Sequence, residues 1–483
     1  MYQKKDRNQI TIDDFVPPFG GKLSADNRWV KMAKLMPWDL IEDIYAEKFK
    51  SETKDGNIPK SARIAFGAVY IKKTEDITDE KTLEYTTENP YMQYFLGLKE
   101  FQTKPLFDIS MMVHFRKRFS KEDMDRINEE LFRRMNPPDD NPPEDSPKGG
   151  ITNETTEEKE AENEGKLILD ATVAPADIRY PTDISILNEC RENTERIIEE
   201  LWPHSNRKGH KTTYSRQKAR KGFLKITKQR KPRKGMLQKA IREQLEYTEQ
   251  NLETIEKLFK EVSDLEVWLK WFERLGVIST VCEQQRGMLN NGIRSCEDRI
   301  VNLRQPFVRP MVRGKVGCPV EFGQKLALSV VNGYTFIEEQ SWDGFNEGTT
   351  LIASAEKYKK RHGCWPEAIL ADTIYRTREN RKFCKERNIR LSGPRLGRPK
   401  AEEIETEKVQ AYQDSCERNM VESRNGIAKR RYGLNRILAY RDCTSEMEAA
   451  MIVISMNMAL CLRTLLRFIF GRLIFRFSES ALV

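Results

Sequence analysis

The chain has 483 residues, too many for one hydrophobic core, so two or three domains are expected. It carries 83 Lys and Arg against 74 acids, a net charge of +9, so any nucleic-acid surface must come from local clustering and not from the total. The 9 cysteines form no Cys-x2-Cys pair and the histidines (His114, His204, His210, His362) are scattered, which argues against a structural zinc site and suits a reducing cytoplasm.

The opening residues MYQKKDRNQITIDDF contain no apolar run and do not read as a signal peptide. Residues 30–135 combine helical apolar patterns with aromatics such as Trp38, Tyr91, Tyr94 and Phe95, which predicts a compact helical domain. Residues 136–165 hold 5 prolines and 10 acids against 2 lysines, too polar to bury a core, and read as an acidic linker. Lys166 to Val173 (KLILDATV) is a short apolar run broken by Asp170, and it predicts a strand covered on both faces.

A long helical insertion is expected at about 186–304. Between Arg207 and Lys234 it holds 13 Lys or Arg in 28 residues and no acid, with Tyr214 and Phe223 interleaved. A tract of one sign at this density points to phosphate. Arg207, Lys208, Lys211, Arg216, Lys218, Arg220 and Lys221 lead it as DNA-contacting residues. Ile241, Leu245, Thr248, Leu252, Ile255, Phe259 and Val262 then alternate at spacings of four and three. That seam suits a helical hairpin or a dimer, and packing inside one subunit is the preferred reading.

Next, Asn332-Gly333 between alternating apolar and polar runs predicts a hairpin. A helix at about 353–362 leads into Ala368-Ile-Leu-Ala-Asp372, a second apolar strand ending in an acid. A desolvated carboxylate at a strand end needs a partner, and a metal ion is one. Arg418, Glu422 and Lys429 follow at offsets of four and seven, on one face of a helix. An acid between two bases on that face can hold a cation beside a phosphate. The longest uncharged apolar stretch, residues 449–461, spans 13 residues and includes Asn457. It is short for a bilayer and reads as part of a buried helix at about 447–468. The order of elements predicts a mixed sheet flanked by helices.

These residues resemble bacterial insertion-sequence transposases of the Asp-Asp-Glu class, in the group with a Tyr-x2-Arg-x3-Glu-x6-Lys signature around its last acid. Arg418, Glu422 and Lys429 occupy three of the four signature positions, GIAKRRYGLNRI continues the similarity, and Ser415 stands at the Tyr position. FGGKLSADNRWVKMAKLMPWDLIEDIYAEKF, ENPYMQYFLGLKEFQ and MVHFRKRF are similar to the amino-terminal domain of these enzymes, and ENRKFCKERNI with LSGPRLGRP to the stretch after their second Asp. The resemblance implies an α/β, ribonuclease-H-like fold: a mixed sheet with flanking helices and the long insertion at 186–304, spanning 166–483. An all-α domain at 1–135 that recognises DNA ends would precede it.

The resemblance further implies Asp170, Asp372 and Glu422 as catalytic acids and ligands of Mg²⁺ or Mn²⁺, which hard oxygen donors favour over zinc. Arg418 and Lys429, charged at neutral pH, suit the DNA backbone. The implied activity is cleavage at element ends and joining of the 3′-hydroxyl to target DNA. The implied partners are double-stranded DNA, as terminal inverted repeats and target, and a second copy or more of the chain assembled on it, with no membrane. Two other readings stay open: a catalytically impaired DNA-binding remnant, and a structure-specific nuclease of the same fold.

Overall fold

The computed structural model describes residues 10–49, 59–137, 162–205, 214–261, 265–315, 318–394 and 404–480. The first elements are α1 (Arg28–Leu35), α2 (Trp38–Glu47), α3 (Ala62–Glu75), α4 (Asp79–Glu88), α5 (Pro90–Phe95), α6 (Met111–Lys117), α7 (Lys121–Met135) and β1 (Lys166–Pro175). The insertion contributes α8 (Asp183–Leu201), α9 (Tyr214–Thr227), α10 (Lys234–Phe259) and α11 (Leu265–Asn291). Then come β2 (Arg309–Lys315), β3 (Cys318–Val331), β4 (Tyr334–Ser341), α12 (Leu351–His362), β5 (Ala368–Leu370), α13 (Arg378–Glu386), β6 (Arg390–Leu391), α14 (Ile404–Arg431) and α15 (Asp442–Ser480). Contacts divide the chain into two units: Met1–Ala174 with Lys325–Ser341 and Phe345–Val483, and Pro175–Gln324 with Trp342–Gly344.

In the first unit β3, β1, β5 and β6 lie side by side in that order, and β4 pairs with β3. β5 runs parallel to both β1 and β6, whereas β3 and β4 are antiparallel. Leu167, Ile168 and Leu169 are all buried, so β1 is covered on both faces as the apolar run before Asp170 predicts. The β3–β4 hairpin turns at Asn332 (φ 51°) and Gly333 (φ 83°), the two left-handed residues of a tight turn that Asn-Gly favours.

The helices expected as a separate amino-terminal domain share their core with the sheet. Phe66, Tyr70, Ile127 and Leu131 belong to the same cluster as Leu169, Leu328, Phe336 and Ile452. The link is α15, which packs on α3, α7 and β4 and satisfies each of them. Asn457 explains itself there. Its amide accepts from Thr335 N at 2.9 Å and donates to the Thr335 carbonyl and to Asn128 Oδ1, both at 2.8 Å. An apolar residue at 457 would leave the buried Thr335 N–H without this acceptor, at about 1–3 kcal/mol, while the Thr335 carbonyl would keep Asn128 Nδ2 at 3.1 Å. Lys73 adds an ion pair to Glu448 at 2.6 Å. By length and composition Asp442–Leu465 could cross a membrane, but 61% of it is buried in the protein, the behaviour of a core helix.

The second unit is a helical bundle with a short antiparallel pairing of β2 to the first half of β3. α10 packs along α8 and against α11, burying Ile241 and Leu245 among Leu187, Cys190 and Val281, and Ile255 among Ile197 and Leu201, with Thr248 buried between them. The four-and-three seam is therefore filled within the chain; its last member, Val262, lies outside the described residues.

Candidate active site

The parallel register of β1 on β5 aligns Leu167 with Ile369 and Ile168 with Leu370. Two residues beyond the last of these pairs stand Asp170, midway along β1, and Asp372, just past the carboxyl end of β5. Open α/β sheets bind ligands at this end. Asp170 is half-buried within β1, while Asp372 has left its strand. Its carboxylate caps the short turn Thr373–Tyr375, accepting from Thr373 N at 2.7 Å.

α14 brings the third acid. It docks on the sheet through residues three or four apart, the spacing of one helix face. Asp414 binds Arg390 of β6 at 2.6 and 2.9 Å, Glu417 binds Lys166 of β1 at 2.7 and 2.9 Å, and Val421 is buried among Ile168, Val330, Ala368 and Leu370. Glu422, next in line, emerges at the rim of this contact. One turn earlier, the Arg418 guanidinium lies 3.4 Å from Asp372 Oδ1 and 3.6 Å from Glu422 Oε1, linking the two acids. On the same flank, Asn425 donates from Nδ2 to Asp170 Oδ2 at 2.9 Å. Lys429 continues this flank two turns beyond Glu422.

The acids repel one another. Burial holds the Asp170 carboxyl above its ordinary range, and the negative charges of Glu347 and Glu422 push the same way, against the Ala171 N–H and Arg418. Glu347 is a fourth acid that the sequence reading did not single out. It sits in the turn after β4 and pairs with Lys325 at 3.0 Å. Burial and then the negative charges of Glu347, Asp170 and Asp372 also push the Tyr375 hydroxyl up.

Among the described residues no three His, Cys, Asp or Glu side chains are gathered tightly enough to grip one ion. The donor chemistry nevertheless fits a hard cation. All the groups present are oxygen donors, and Asn425 Oδ1 is buried beside Asp170 without a hydrogen-bond partner. An added positive charge would relieve both the orphaned oxygen and the crowded carboxylates.

The structure brings together Asp170, Asp372, Glu422 and Arg418. The basic residues of the insertion belong to the second unit. Lys218, Arg220 and Lys221 are exposed on α9, whereas Arg216 is engaged by Glu195 and Glu199 of α8. Arg207, Lys208 and Lys211 lie outside the described residues. Asn425 was legible as a residue three beyond Glu422, but its amide carries no charge to draw notice. Glu347 arrives from a distant turn and leaves no local pattern.

A family model described as "Transposase DDE domain" matches residues 369–459, a stretch that contains Asp372, Arg418 and Glu422 but not Asp170. A second, "Transposase domain (DUF772)", matches residues 18–118. The "Uncharacterized protein ORF8 in nfe locus" of Rhizobium meliloti is 27% identical over 154 residues, which cover 32% of this chain and 64% of that protein. The chain thus spans less than two thirds of that relative's length. No solved structure matches. Two separate stretches of the chain are thus similar to transposase domains, one before the sheet and one across its second half, which is consistent with an insertion-sequence transposase of the Asp-Asp-Glu class.

Proposed function

We propose that the chain is a DNA transposase that cuts the ends of its element and joins the freed 3′-hydroxyl to target DNA. The observation that carries this reading is the meeting of Asp170, Asp372 and Glu422 at one end of the sheet, linked by Arg418 and Asn425. The strand order β4-β3-β1-β5-β6, an antiparallel hairpin on one side of β1 and parallel strands on the other, supports a ribonuclease-H-like core. In this reading residues 1–135 recognise element ends and 166–483 catalyse; the acidic linker expected at 136–165 lies mostly outside the described residues. The partner is double-stranded DNA in the cytoplasm, and two or more copies assemble on it.

Asp170, Asp372 and Glu422 would hold Mg²⁺ or Mn²⁺. When bound, such ions activate an attacking oxygen and neutralise the leaving one. The chain's own residues prepare the site. Asn425 fixes one oxygen of Asp170. Arg418 keeps Asp372 and Glu422 converged and balances their charge between turnovers. With Lys429, it lies on the flank along which a phosphodiester would approach. Because Asp170 holds its proton to a higher pH than usual, cation affinity should rise with pH as that proton is released.

The test is Asp170→Asn, Asp372→Asn and Glu422→Gln, each removing charge with little change of shape. Each variant should lose Mg²⁺-dependent cleavage of element ends, by on the order of a thousandfold or more, while still binding those ends. Normal cleavage by any one of them would remove that residue from the site. Loss of end binding in all three would favour a structural role for the acids.

A further inference from the structure

The flank of α14 opposite Glu422 carries a second charged site. Arg424 stands two residues on from Glu422, about 200° round the helix. It lines an open pocket of about 340 Å³ between α14, α15, α1 and α3, together with Arg28, Arg430, Arg431 and Arg463. No carboxylate lines this pocket among the described residues. Arg28 is already paired, with Glu75 at 2.8 Å. Among the described residues, Arg430 and Arg463 make hydrogen bonds only to carbonyls of their own helices, Gly426 and Ala459.

Arg424 differs from the rest because it is only 8% exposed, and among the described residues nothing pairs with it. Burial first, then the charge of Arg463, lowers the affinity of its guanidinium for its proton. The fold makes room for it. The left-handed Gly333 of the β3–β4 turn lies against it, and a Cβ there would come within 3.3 Å of Arg424 Nη2. A buried guanidinium without a partner costs several kcal/mol that a bare structural role does not recover. Such a group persists where a ligand supplies the missing charge.

We propose that this arginine pocket is a second phosphate-binding site, taking a phosphodiester of bound DNA about one helix diameter (~10 Å) from the acids. The guanidinium fork matches two phosphate oxygens, and the exposed arginines around it can neutralise adjoining phosphates. The inference rests on the reading of the chain as a DNA-acting protein and adds a site to it. DNA held there would touch α1 and α14 together, joining the amino-terminal helices to the helix that carries Glu422.

The test compares wild type, Arg424→Met and the surface double variant Arg431→Gln/Arg463→Gln, all as the full chain. Binding to a random-sequence duplex is titrated at several salt concentrations, and melting is followed without DNA. The slope of log affinity against log salt should flatten by about 1 in Arg424→Met and by about 1 to 2 in the double variant. Affinity at low salt should fall on the order of tenfold. Arg424→Met should melt no lower than wild type, since it removes an unpaired buried charge.

A lower melting point for Arg424→Met with unchanged slopes in both variants would assign Arg424 to the core and overturn the proposal. Inorganic phosphate that stabilises wild type while all three proteins bind DNA equally would make this a free-anion site and overturn DNA as its ligand. Wild type that binds no DNA sinks both readings, whereas wild type that binds DNA as its pocket variants do sinks the pocket alone.

Discussion

Arg418 and Arg424 sit six residues apart on α14 and illustrate two uses of one side chain. Arg418 is about one-third exposed and spends its charge on Asp372 and Glu422. Arg424 is buried and spends its charge on nothing in the described chain. A satisfied guanidinium organises the groups around it. An unsatisfied one, kept at a cost in stability, points outward to something that is not part of the fold.

The largest expected effect separates buried from solvated charge. Lys218, Arg220, Lys221, Lys225, Lys228 and Arg230 are all exposed. If about six bases of this tract meet phosphate, DNA affinity drops on the order of a thousandfold between about 50 and 200 mM salt. Replacing these six by Gln should flatten the slope markedly and spare the preference among DNA ends, because phosphate contacts position and do not specify. An unchanged slope in a salt titration would leave the α14 arginines as the main electrostatic contact.

A smaller effect tests the strain on the acid flank. The folded-state pKa of Asp170 is raised, so the folded protein binds its proton more tightly than the unfolded chain does. Stability from this residue is full below the ordinary carboxylate range and is lost as pH rises through the raised value. Asp170→Asn should therefore melt higher than wild type at neutral pH, with the gap closing in acid. A gap that widens in acid would mean that the carboxylate is stabilising in its charged form.

The smallest effect concerns Ser415, at the position where the resembled signature has Tyr. It is exposed, and Arg418 is already held by two carboxylates. Ser415→Tyr should change cleavage less than about threefold, under 1 kcal/mol. A loss of tenfold or more would show that the flank is packed around the smaller residue.

Local chemistry was legible where the pattern was local. The apolar runs before Asp170 and Asp372, the Asn-Gly turn and the spacing of Arg418, Glu422 and Lys429 each encode an element and a direction. Packing partners were not. The apolar stretch of α15 announces burial without saying that α3, α7 and β4 are what it buries, so the amino-terminal helices read as a separate domain. The seam of α10 likewise declares a partner without naming α8. Nothing in the sequence sets Arg424 apart from the other bases of its helix, because its burial is decided by the docking of α14 and the β3–β4 turn.

The junction of Asn128, Thr335 and Asn457 sets a clock on synthesis. Helix α7 has left the ribosome long before α15, whose apolar face it needs. At roughly 5–20 residues per second, the 330 residues from 135 to 465 take about 15 to 65 s to be made. Until then the faces of α3 and α7 that α15 will cover have no native cover. A chaperone that binds apolar helices should therefore meet the nascent chain at its amino-terminal third, and release should coincide with completion of the last helix.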